Sequence, residues 1–175
     1  MQPIKIQGEW IVRILVLSDS HGLQYFMQRC VETLQPDAVI HLGDMVRDAD
    51  KLAAQYPGLR FYQVAGNCDS CRVPPDYPEI LIEDFLGVRV FMTHGHRHGV
   101  KTFLSKLIAD GRQCGAKVIL YGHTHVADCR QLEDGCWVMN PGSAGYGPSA
   151  GMLEISPAGE LQCKLILPAD LEEHK

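Results

Sequence analysis

Aspartate, asparagine and histidine gather at five places in this chain: Asp19-Ser20-His21, Gly43-Asp44, Gly66-Asn67, His94-Gly95-His96 and Gly122-His123-Thr124-His125. Imidazole nitrogen and carboxylate oxygen together form a donor set for Mn, Fe, Ni or Zn, whereas oxygen alone suits Mg or Ca. Asp19, His21, Asp44, Asn67, His94, His123 and His125 are too many ligands for one ion. They suit two divalent ions that share a bridging carboxylate, a pair about 3.5–4 Å apart that grips both oxygens of an in-line phosphoryl displacement. Each piece alone is weak, because Asp-x-His after a strand is usually a capped loop and Gly-Asp usually a turn. The conjunction is what counts: five of the eight histidines sit in three of these groups, and His98 follows closely on one of them.

These residues do chemistry together only if the fold brings them to one place, and the hydrophobic pattern says how. Ile11–Leu17 is an apolar, β-branched run ending at Ser18-Asp19, and it predicts a buried strand. Phe26, Cys30, Val31 and Leu34 share a helical face that Pro36 ends. Strands are expected at 38–42 and 61–65, with a short helix at 49–56 between them. A Pro-rich connection (Pro74, Pro75, Pro78) leads to a hairpin of 80–85 and 88–92 around Gly87, and then to a helix over 101–114. A strand at 117–121 follows, and further strands are expected at 127–132, 136–140, 151–155 and 161–167, separated by Gly and Pro turns. Each of the five polar groups lies just past the end of a predicted strand. In α/β sheets, ligands bind in the crevice beyond the carboxyl ends of strands, so the groups are expected to converge. The fold class is a mixed α/β sandwich, strands inside and helices outside, in a single domain spanning 1–175.

Bulk properties narrow the class further. Apolar residues make up 46% and charged residues 21%, which supports a real core and excludes a disordered chain. The net charge is -5 and no dense Lys/Arg block exists, so long nucleic acid is not an expected partner. Seven cysteines, odd in number and scattered through apolar runs, read as reduced thiols rather than a secreted disulfide framework. No apolar stretch approaches the ~18 residues of a membrane span and the first residues carry no cleavage signal, so a cytoplasmic location without membrane attachment is expected.

Taken in order, the five blocks resemble the signature of the calcineurin-like metallophosphoesterases over residues 11–143. The compact size and Asn140-Pro141-Gly142-Ser143 are most similar to the family's small YfcE/MJ0936-like phosphodiesterase branch. The resemblance implies a calcineurin-like β-sandwich of two mixed sheets flanked by helices, with the site on loops at one end. It assigns Asp19, His21 and His125 to a first ion, Asn67, His94 and His123 to a second, and Asp44 to the bridge. It further implies hydrolysis of a small phosphodiester by water activated between two divalent ions, with Mn first among the metals. A homo-oligomer is also implied, in keeping with a sheet edge left open.

One position departs from that family. Its block usually reads Gly-Asn-His-Asp/Glu, the His contacting phosphate and protonating the leaving oxygen, but here the residue is Cys68. A thiol is neither a comparable cation nor an evident acid. His96 and His98 are the nearest substitutes, so Asp44, Asn67 and His96 are the expected catalytic residues. His41 falls inside a strand and reads as core or as support for the ligands. Gly95 to Thr102 fails the spacing of a phosphate-binding loop, Gly145-Tyr146-Gly147 lacks the rest of a dinucleotide motif, and Cys68-Asp-Ser-Cys71 has no second Cys pair. Two rival functions share the pattern. One is a protein-binding scaffold such as the retromer subunit of this fold, in which the metal pattern has decayed, and the other is a phosphomonoesterase.

Overall fold

The protein is described by a computed structural model that covers residues 4–6, 9–69 and 77–172. Pro74, Pro75 and the Cys68/Cys71 spacing fall partly or wholly outside those residues.

Two sheets pack face to face. In the first, β1 (Ile4–Ile6) pairs with β2 (Glu9–Leu17), and the path runs on through β3 (Ala38–His41) and β4 (Arg60–Gln63), all three of the latter parallel. β10 (Ala150–Ile155) and β11 (Leu161–Ile166) complete it antiparallel on the other side of β2. The second sheet has the order β5 (Ile80–Phe85), β6 (Val88–Thr93), β7 (Val118–Leu120), β9 (Trp137–Asn140), β8 (Asp128–Gln131), with β6, β7 and β9 parallel. Helices α1 (Tyr25–Leu34), α2 (Val46–Gln55) and α3 (Ser105–Gln113) flank them. This is the calcineurin-like sandwich of two mixed sheets.

The central strands read as unbroken apolar runs because both of their faces are buried. In β2, Ile14 and Val16 enter the core between the sheets, while the alternate Leu15 and Leu17 pack with Phe26, Met27 and Cys30 of α1. The second sheet repeats this: Val90 and Met92 of β6 face the inter-sheet core, and Phe91 faces Leu107 of α3. The six described cysteines are free thiols. Among the described residues no helix is long and apolar enough to cross a membrane.

Two helix starts differ from the sequence reading. α2 begins at Val46 rather than 49, because the carboxylate of Asp69, arriving from the loop after β4, accepts the amides of Met45 and Val46 at 2.9 and 3.1 Å. That is a helix cap supplied from another loop, and a negative charge there also suits the helix dipole. α3 begins at Ser105 rather than 101, because left-handed Gly95 and Gly99 bracket a 3-10 turn at His96–His98. The amides of Thr102 and Phe103 then turn back onto the Gly99 carbonyl.

Candidate metal centre

Every one of the seven expected ligands lies at the carboxyl end of a parallel strand. Asp19 and His21 follow β2, Asp44 follows β3, Asn67 follows β4, His94 follows β6, and His123 and His125 follow β7. Both sheets contribute, and short bonds stitch their loops together. The Asp19 amide reaches Gly43 O at 3.0 Å, the His123 amide reaches Asp19 Oδ2 at 3.1 Å, and the Ala144 amide reaches Ser18 O at 2.8 Å.

The backbone at the site is unusual. Asp19, His21, Asp44, His123 and His125 all have positive φ, between 47° and 68°. For a residue with a Cβ this left-handed region costs roughly 1–2 kcal/mol. Five such residues among seven candidate ligands point to a site whose side-chain directions are set by the loops at the expense of local comfort. Neighbouring glycines make the crowding possible. A Cβ on Gly66 would fall within contact of Asp44 N and Oδ1, and one on Gly122 would meet Ser18 Oγ and Asp19 Oδ2.

Two groups of donor atoms result, with Asp44 in both. Asp19, His21, Asp44 and His125 each place one ligand atom within 4.8 Å of the others, and so do Asp44, His94 and His123. Atoms that share an ion at about 2.1 Å stand about 3 Å apart when adjacent and about 4.2 Å apart when opposite, so both groups have the right scale. The Nε2 atoms of His21 and His125 are 3.2 Å apart. Asp19 Oδ1 is buried, accepts no well-aligned hydrogen bond, and lies 3.1 Å from His125 Nε2 and 4.0 Å from His21 Nε2. In the second group, His94 Nδ1 donates to Leu42 O at 2.8 Å, which leaves Nε2 as the nitrogen available to a metal. That Nε2 faces Asn67 Oδ1 at 3.1 Å and Asp44 Oδ1 at 3.4 Å. Lone pairs that converge in this way need a positive charge among them. Without a metal, a proton on His94 Nε2 would answer the same need. Burial works against it, yet the hydrogen bond to Asp44 and the charges of Asp19 and Asp44 raise the pKa of His94. Burial would likewise raise Asp44, but the hydrogen bond and charge of His94 outweigh it and hold the carboxyl well below its usual range. His123 is pushed down to about 4, by burial first and then by the charges of His94 and Lys101, so it is neutral at pH 7, the form in which an imidazole can ligate.

The expected catalytic residues separate here. Asn67 and Asp44 are joined to the centre as above, and His96 stands beside it, its ring 5.4 Å from His94 and 6.2 Å from His123. His98 is turned the other way: its Nε2 is 3.3 Å from Asp110 of α3 and its ring meets Phe91 edge-on. Cys68 does lie at the centre, accepting from Asn67 Nδ2 and donating its amide to Asp44 Oδ1 at 2.8 Å. Its thiol is pushed up to about 11 by burial and the neighbouring Asp44. His41 is fully buried and accepts the Gly43 amide at 3.3 Å, which makes it a support for the Asp44 loop.

Three residues support the ligands in roles that the sequence reading did not assign to them. Asp69 accepts the amides of Asp44 and Gly66, at 2.9 and 2.8 Å, as well as those of the α2 start. Asp48 of α2 accepts Ser20 Oγ, the Gly22 amide and Gln24 Nε2, and so holds the His21 loop. Ser143 Oγ donates to Asp19 O at 2.8 Å. Asp48 carried a signal, since it falls one turn before Leu52 on the buried face of α2, where a carboxylate needs partners.

A family model described as the calcineurin-like phosphoesterase superfamily domain matches residues 12–156. The chain belongs to that superfamily. It is 34% identical over 135 residues to a probable metallophosphoesterase, YsnB, of Bacillus subtilis, covering 75% of each chain. It is also 29% identical over 163 residues to Phosphodiesterase MJ0936 of Methanocaldococcus jannaschii, covering 82% of this chain and 93% of that one. Among solved structures, Vacuolar Protein Sorting 29 from Cryptosporidium parvum superposes with a TM-score of 0.72 at 16% identity, covering 89% of this chain and 97% of the other, a likeness of fold.

Proposed function

We propose that this protein is a metal-dependent phosphodiesterase acting on small phosphodiesters, with two divalent ions, Mn foremost, held by Asp19, His21 and His125 on one side and by Asn67, His94 and His123 on the other, bridged by Asp44. The observation that carries this reading is the convergence of His94 Nε2, Asn67 Oδ1 and Asp44 Oδ1, with His94 Nδ1 committed to Leu42 O and Asp44 shared by both groups of donor atoms. Bound divalent ions supply Lewis acidity toward phosphoryl oxygens and a nucleophile at neutral pH. The chain supplies the rest. Asp19 and Asp44 give a buried anionic floor, while His21, His123 and His125, partly exposed, stand where a solvent-borne ester reaches them. Asn67 would orient the phosphoryl group, and His96, its ring 5.4 Å from that of His94, would serve the leaving side.

A pure scaffold is the rival reading, and the seven ligand positions argue against it, because each is filled by a capable residue and five of them bear backbone strain. Protein purified without added metal should bind Mn and then hydrolyse nitrophenyl phosphodiesters faster than nitrophenyl phosphate. Activity on the monoester alone would turn the reading toward a phosphomonoesterase. A cytoplasmic location and a homo-oligomer belong to the same proposal. The second is supported by edge strand β5, which leaves Ile80 and Ile82 about two-fifths exposed.

A further inference from the structure

A large aromatic ring stands bare at the rim of the candidate centre. Tyr146 is 63% exposed and belongs to none of the hydrophobic clusters, yet its ring centroid is 5.9 Å from that of His21, which in turn is 5.0 Å from that of His125. Exposure here is not looseness. The amides of Gly145 and Tyr146 both donate to Ser143 Oγ, at 3.2 and 3.0 Å, and that hydroxyl donates to Asp19 O. A Cβ on Gly145 would collide with the Ser20 carbonyl, so the loop lies directly against the Asp19–His21 segment. Tyr146 is thus pinned to the same backbone that carries two candidate ligands, with one side against His21 and most of its surface open. Val126, next in the chain after His125, is likewise 66% exposed.

A solvent-facing ring on an anchored backbone beside an ionic centre suits a substrate whose phosphoryl group meets the ligands while a planar group lies on the tyrosine. Stacking of this kind needs a π-face and tolerates different rings. We infer that Tyr146 is a specificity residue, the platform for an aromatic ring, aryl or nucleobase, borne on an ester arm of the substrate. This rests on the phosphoesterase reading above and narrows its substrate class.

The test is calorimetric binding of phosphonates, which the enzyme cannot cleave at carbon, to Mn-loaded protein. Methylphosphonate, phenylphosphonate and an adenosine 5′-phosphonate are titrated into wild type, Tyr146→Ala and Tyr146→Phe. The preference for the ring-bearing ligands over methylphosphonate should fall by about tenfold in Tyr146→Ala and be kept in Tyr146→Phe, with methylphosphonate itself unchanged. Loss for phenylphosphonate alone identifies an aryl arm, and loss for the adenosine ligand alone a nucleoside arm. Equal affinity ratios in wild type and Tyr146→Ala would overturn the inference while leaving the phosphoesterase reading in place. If no phosphonate binds the Mn-loaded wild type, both fall.

Discussion

Asp44 is the residue on which the most depends, because its carboxylate belongs to both donor groups. Asp44→Asn should lower phosphodiester hydrolysis by at least about 10²-fold, whereas His41→Gln, which keeps an acceptor near the Gly43 amide, should cost about tenfold or less. Steady-state rates decide between these outcomes. The pair Asp44 and His94 also fixes a pH response. His94 must lose its proton to ligate, and its folded pKa is raised, so Mn affinity should climb as pH rises through that value and then level off. In chelated protein the sign reverses. The raised His94 stabilises fully below its unfolded pKa of about 6.5 and less as pH rises through the folded one, while the lowered Asp44 stabilises fully above its unfolded value of about 3.9. The Tm difference between chelated wild type and Asp44→Asn should therefore be greatest between those limits and shrink above them, and a constant difference would contradict the pairing.

Cys68 sets the leaving-group behaviour. A thiol near 11 holds its proton, and His96, its pKa lowered by burial and then by the charge of His94, is neutral at pH 7. A positioned acid is typically worth about 10²- to 10⁴-fold, so nitrophenyl diesters should be cleaved well and alkyl diesters much more slowly. Rates plotted against leaving-group pKa for wild type, Cys68→His and His96→Ala measure this. Selective rescue of poor leaving groups by Cys68→His supports the missing acid, and a flat wild-type plot that His96→Ala leaves unchanged contradicts it. At this scale the sequence was informative about candidate ligands and, His41 apart, nearly silent about their supports. Asp19 or His94 can be recognised by type and by position after a strand, but Asp69 acts through four backbone amides, which no side-chain pattern reveals.

Among the elements, the strands were the most legible. The stretches Ile14–Leu17 of β2, Ala38–Ile40 of β3, Val90–Met92 of β6 and Val118–Leu120 of β7 are buried on both faces, so these apolar runs are unbroken and end close to the polar residues that follow. The helix starts were not, because α2 is capped from the β4 loop and α3 is delayed by the turns at Gly95 and Gly99, both tertiary effects. The cap makes its own prediction. Asp69→Asn keeps the shape but surrenders the charge that receives amides from both the Asp44 loop and Gly66, and a cap of this kind is worth about 0.5–2 kcal/mol. It should lower Tm and weaken Mn binding together. Gly66→Ala should do the same more severely, because its Cβ would press on the Asp44 backbone and carboxylate. Calorimetric Mn affinity that survives either change would separate the loop from the site.

For the whole molecule, two sheets packed so that the carboxyl ends of β2, β3 and β4 meet those of β6 and β7 make one site from five loops distant in sequence. The edge strand β5, with Ile80 and Ile82 turned outward, should pair or pack with a second copy. Ile82→Lys should then shift light-scattering mass to that of a monomer, and a wild type that is monomeric throughout the working range would remove that expectation. Everything else rests on the ions. The most direct measurement is the rate of bis(nitrophenyl) phosphate hydrolysis by chelator-treated protein as Mn is added back in known equivalents. The expected result is no turnover after chelation and recovery that follows the second equivalent bound. Undiminished turnover after chelation, or none with Mn, Fe, Ni or Zn at any loading, would contradict a two-metal phosphodiesterase.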